Sequence, residues 1–83
     1  MAKYIDHHPT NPNLPPEVLT IIRQRLESGR PDEHGDRGIN VFIGDEDTYC
    51  YTEAPSADAV RRAHEAMGIF LGPEDIAEVQ VLP

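Results

Sequence analysis

Tryptophan is absent from these 83 residues, cysteine occurs once, and lysine and arginine number only 7 against 15 acidic residues. A lone Cys50 cannot close an internal disulfide, which excludes a disulfide scaffold and removes any argument for an oxidising compartment. The formal net charge of −8 repels phosphate backbones and anionic lipid surfaces, so nucleic acid is excluded as an expected partner. No apolar run approaches the ~20 residues of a membrane span, and the opening residues lack the basic-then-apolar layout of a leader, so a cytoplasmic location is expected. Missing too are a glycine-rich phosphate loop, a nucleophile elbow and the alternating oxygen ligands of an EF-hand loop.

What is present is enough for one domain over residues 1–83. A chain this short buries only about 60–65% of the surface its unfolded form exposes. With 39% hydrophobic residues and a mean hydropathy of −0.50, it is lean for a monomer, which favours a core completed by a second copy. Acidity suits cations, but it is also a common route to solubility and is weak ground for a metal.

Lys3 to His8 reads as a first strand, ended by the loop Pro9-Thr10-Asn11-Pro12-Asn13. Pro15-Pro16 and Glu17 suit a first helical turn, and Val18, Leu19, Ile22 and Leu26 recur at helical spacing, predicting a helix over 16–28. Ser28-Gly29 and Pro31 end it, and the polar stretch 30–38 reads as a solvated, mobile loop that leaves His34 exposed. Ile39–Ile43 and Thr48–Glu53 flank the turn residues Gly44-Asp45-Glu46-Asp47 and read as an antiparallel hairpin. Ser56 caps a second helix reaching Met67, with Val60, Ala63 and Met67 inward, and Ile76 to Leu82 alternates as a last strand.

The order strand, helix, strand, strand, helix, strand is that of a ferredoxin-like α+β fold. Its βαββαβ chain makes a four-stranded antiparallel sheet with two helices on one face. The other face is free to pair with a second copy, so a barrel-like homodimer is expected.

Splitting each strand by alternation puts Ile5, Ile39, Val41, Ile43, Cys50, Val79 and Val81 toward the helices. The opposite, uncovered face then carries Tyr4, Asp6, His8, Asn40, Phe42, Tyr49, Tyr51, Glu53, Glu78 and Gln80. That mixture of rings, carboxylates and an imidazole reads as the lining of a site.

Asp6-His7-His8 is the densest cluster of potential ligands. Asp6 and His8 project from one face roughly 6.6 Å apart at the backbone, a span that two side chains can close onto one ion. Imidazole with carboxylate suits nickel, zinc, cobalt or copper, and a single cysteine argues against a thiolate zinc site. Glu53 can add an oxygen from a neighbouring strand. His7 points to the other face, and His64 sits beside the inward stripe of the second helix, where a hydrogen-bonded core histidine competes with ligation. The plain alternative is an Asp6–His8 ion pair at a strand end. A second alternative class is a cofactor-independent dimeric-barrel enzyme acting on a small organic molecule, favoured by an enclosed pocket beside Tyr51 and His8, and a third is a plain interaction module, favoured by an uncovered face that packs flat.

The run Tyr49-Cys50-Tyr51-Thr52-Glu53-Ala54-Pro55-Ser56-Ala57-Asp58-Ala59-Val60, continuing through His64-Glu65 to Gly68 and Glu78-Val79, resembles a family of small bacterial ferredoxin-like dimers, many of unknown function, with a nickel-binding member. The resemblance implies nickel near the dimer centre, held by Asp6, His8 and Glu53, with His7 and His64 as further ligands and zinc or copper as rival metals. Its role would be storage, buffering or sensing rather than catalysis.

Overall fold

The computed structural model describes residues 1–8 and 13–82; the first loop expected after His8 falls mostly outside them. The elements run β1 (Ala2–His8), α1 (Pro16–Ser28), β2 (Arg37–Ile43), β3 (Thr48–Ala54), α2 (Ala57–Glu65) and β4 (Ile76–Val79), with a single 3-10 turn at Pro73–Asp75 before β4. The strands form one 4-stranded sheet in the order β2-β3-β1-β4, every neighbouring pair antiparallel. This is the ferredoxin-like βαββαβ topology. Both helices lie on one side of it, since side chains from α1, α2 and one sheet face line a common cavity.

Local chemistry explains the boundaries. Pro16 opens α1 and Gly29, at φ 64, closes it with its N–H donating to the Arg25 carbonyl. Ser56 caps α2 by accepting a hydrogen bond from the Ala59 N–H at 3.2 Å. α2 ends at Glu65, short of the expected Met67, because the Met67 and Ile69 N–H groups both turn back to the His64 carbonyl around Gly68 at φ 82. β4 stops at Val79, and Val81 and Leu82 beyond it are exposed.

The core is small and asymmetric. Tyr4 and Ala54 from the central strands pack against Ala59 and Val60 of α2, with Ala2 and Ile76 at the margin. α1 packs on β2, where Leu26 lies over Gly38, yet all its residues stay half-buried or exposed.

The face expected for β1 is reversed. Tyr4, Asp6 and His8 point toward the helices and are buried, whereas Ile5 is 37% exposed on the uncovered side. Register explains this, because Asp6 pairs with Cys50, Tyr4 with Thr52 and His8 with Thr48, and directly paired residues share a face. The small residues of α2 leave room for the Tyr4 ring, and His64 gives the two polar side chains a partner. β4 is reversed likewise, with Val79 opposite Lys3 and Glu78 opposite Tyr4. The orientation expected for β3 holds, with Cys50 inward.

The polar stretch after α1 is also more ordered than expected. Asp32 Oδ1 accepts from the N–H groups of His34 and Asp36 at 2.8 and 3.0 Å, and the Asp32 N–H donates to the Asp36 carbonyl. That tie buries Asp36 and leaves His34 half-buried.

Candidate metal centre

Four side chains of potential ligand chemistry converge under α2. Asp6 and His8 come from β1, Cys50 from β3 and His64 from α2, and one ligand atom of each lies within 4.8 Å of all the others. The ladder brings the first three together, and the Ser56 cap sets the helix that delivers the fourth.

Asp6 sits at the centre. It is fully buried, its Oδ2 lies 2.6 Å from His8 Nε2 and 3.1 Å from His64 Nε2, and Cys50 Sγ lies 3.5 Å from His8 Nε2. At those separations a ring N–H aimed at the oxygen would be a good hydrogen bond. Neither is so aimed, and both Asp6 oxygens are without a hydrogen-bond partner among the described residues. A fully buried carboxylate in ion-pair contact with two imidazoles but without an aligned hydrogen bond needs either a protonated imidazole or a metal cation to balance its charge.

The imidazoles are oriented for such a role. His64 Nδ1 donates to the Val60 carbonyl at 2.8 Å, one turn back along α2, which turns Nε2 toward Asp6. The His8 ring lies tilted beside it, with centroids 5.2 Å apart.

The charges of these groups depend on one another, with a proton on an imidazole balancing the Asp6 carboxylate. Burial pushes the Asp6 carboxyl up, but His64 and His8 together outweigh it and hold Asp6 below the usual carboxylate range. Burial disfavours the His64 imidazolium, yet Asp6, the Val60 carbonyl and Asp36 overcome this and raise it. Burial pushes the Cys50 thiol up, with the Asp6 and Asp36 charges adding to the effect. Asp36 is pushed up to about 6, chiefly by burial. A divalent ion would reverse this logic at Cys50, making a thiolate of it and displacing the imidazolium proton.

A tetrahedral site with bonds of about 2.0–2.3 Å has ligand atoms roughly 3.3–3.8 Å apart. The Asp6–His8, Asp6–His64 and Cys50–His8 separations of 2.6, 3.1 and 3.5 Å lie within or below that range, and every other pair lies within 4.8 Å, so shifts of about 1 Å or less bring the set onto one ion.

Of the residues singled out from sequence, Asp6, His8 and His64 are brought together, on the helix side rather than on the uncovered face. His7 and Glu53 are not with them. His7 Nε2 lies 3.0 Å from Asp47 Oδ2 and its ring stacks on Tyr49 at 4.6 Å, while Glu53 pairs with Arg37 at 3.4 Å, both on the opposite face. Tyr51 and His8 lie on opposite sides of the sheet, so the cavity that His8 lines is not shared with Tyr51. Sequence reasoning did not count Cys50 among the ligands; its signal was the strand register, which places it across from Asp6.

Comparison with protein-family models, with curated proteins and with solved structures finds no match to this chain. The metal reading therefore rests on the centre itself.

Proposed function

We propose that this protein binds one divalent transition-metal ion per chain through Asp6, His8, Cys50 and His64, for storage, buffering or sensing. The observation that carries the proposal is the fully buried Asp6 carboxylate, lacking hydrogen bonds with two imidazole nitrogens crowded against one oxygen. Two imidazoles, a carboxylate and a thiolate suit zinc, nickel and copper alike, and nickel is put first on the family resemblance of the sequence.

A cytoplasmic location is part of the same proposal, since a lone Cys50 gives no reason for an oxidising compartment. The uncovered sheet face carries Ile5, Phe42 and Tyr49 with 37%, 57% and 41% of their surface exposed, which supports a homodimer through that face.

Isothermal titration of chelator-stripped protein with nickel tests the proposal. One equivalent should bind at micromolar or lower concentration, with His8→Ala and His64→Ala each weakening binding at least ~100-fold. His7→Ala and Glu53→Ala should change it by less than about threefold. Absence of saturation with nickel, zinc and copper alike would refute it.

A further inference from the structure

The metal centre forms part of the wall of a cavity. A space of about 570 Å³ lies between the two helices and the sheet, and His8, Cys50 and His64 line it together with Ile22, Leu26 and Val41. Asp6 is not on that lining and is itself fully buried. An ion held by the four ligands would thus have Asp6 behind it and the cavity in front. The four protein ligands complete a tetrahedral set, so a donor that reaches the ion from the cavity side would enter as a fifth ligand.

The rest of the cavity is built for an apolar body. α1 roofs it with Ile22 and Leu26, which stay half-buried although α1 is amphipathic and packed against β2. The volume lies within the range of small-molecule sites.

Charge decides the chemistry of the donor atom. A divalent ion with the Asp6 carboxylate and the Cys50 thiolate is already neutral, and Arg23 and Arg25 on the cavity lining are matched in number by Asp32 and Asp36, so an anionic donor would find no spare positive charge there. The geometry points to a second ligand: a small, largely apolar molecule that occupies this cavity and coordinates the bound metal through one neutral nitrogen or carbonyl-oxygen donor. This inference rests on the metal reading above.

The test uses the full chain loaded with cobalt(II), whose visible absorption bands report its coordination. Addition of 4-phenylimidazole should shift those bands saturably at sub-millimolar concentration, at least tenfold more tightly than imidazole alone, while benzoate should leave them unchanged. Ile22→Trp, which fills the cavity from α1 and touches no ligand, should keep the cobalt spectrum and lose at least tenfold in 4-phenylimidazole affinity. Leu26→Phe is the second variant should Ile22→Trp fail to fold. A normal cobalt spectrum that 4-phenylimidazole does not shift overturns this inference and leaves the metal reading standing. Equal affinities for imidazole and 4-phenylimidazole, or no effect of the cavity variants, also overturn it, and a stronger response to benzoate overturns the neutral-donor class. Failure of cobalt, nickel and zinc to load overturns both readings.

Discussion

Asp6 and Cys50 stand directly opposite each other across the β1–β3 ladder. That pairing puts a carboxylate and a thiol from neighbouring strands on one sheet face, beneath the imidazole that α2 carries. The centre is thus built by strand pairing from residues that lie 44 positions apart in the chain, and only its His8 is a near sequence neighbour of Asp6.

The thiol gives the most direct spectroscopic check. Nickel or cobalt bound through Cys50 should produce sulfur-to-metal charge-transfer absorption in the near ultraviolet. Cys50→Ser should abolish that band and weaken binding roughly 10- to 100-fold while leaving the circular dichroism of the fold unchanged.

Metal should stabilise the fold by mass action. At a free ion concentration about 100 times the dissociation constant the gain is about 2.7 kcal/mol, which corresponds to a rise in Tm on the order of 10 °C for a domain this size. Asp6→Asn should erase the metal-dependent rise in a thermal scan. It should also lower the stability of the metal-free protein, since the His64 imidazolium would lose its buried partner.

The metal-free protein should be most stable at about pH 4 to 5, where the Asp6 and His64 contributions are both present and most of the Asp36 cost has not yet developed. The native pKa of Asp6 is depressed, so its contribution is present above the unfolded value near 3.8 and is lost as pH falls through the native value. The native pKa of His64 is raised, so its contribution is full below the unfolded value near 6.5 and is lost as pH rises through the native value. Asp36, raised from 3.8 to about 6, works against the fold as pH climbs through that interval, by on the order of 3 kcal/mol. Urea denaturation across pH should therefore show a maximum on the acid side of neutrality, and Asp36→Asn should flatten the decline between about pH 4 and pH 6 while leaving the loss at higher pH that His64 causes. Metal affinity should move the other way, rising with pH as protons cease to compete at His64 and Cys50.

Self-association should be separable from metal binding. Phe42 pairs with Tyr49 on the uncovered face, away from Asp6. Phe42→Lys should convert a homodimer to monomer in analytical ultracentrifugation and leave nickel affinity within about threefold of the parent.

The helix that bears His64 depends on its cap. Ser56→Ala should cost about 1 kcal/mol in denaturant unfolding, with little change in metal stoichiometry.

Much of the fold could be read from the chain, because its punctuation is strong. Pro15-Pro16, Gly29, the turn residues 44–47 and Ser56 all mark boundaries that the structure keeps. The site was read only in part. Alternation in β1 offered one aliphatic residue, Ile5, against Tyr4, Asp6 and His8, and the rule that apolar side chains go inward chose the wrong face. The polar residues go inward because α2 meets them with His64 and because Ala59, Val60 and Ala63 leave space for the Tyr4 ring. Those facts belong to the packing of one element against another, and periodicity within one strand does not contain them. The single cysteine was underweighted for a related reason: its company is set by cross-strand partners.

The β1–β3 ladder also has a consequence for assembly of the chain. A slip of one residue along β1 would turn Ile5 and His7 inward and scatter Asp6 and His8 to the outside, leaving no cluster able to grip an ion. A bound metal would then proofread the alignment of the central strands, rewarding the native arrangement over its nearest misfolded competitor.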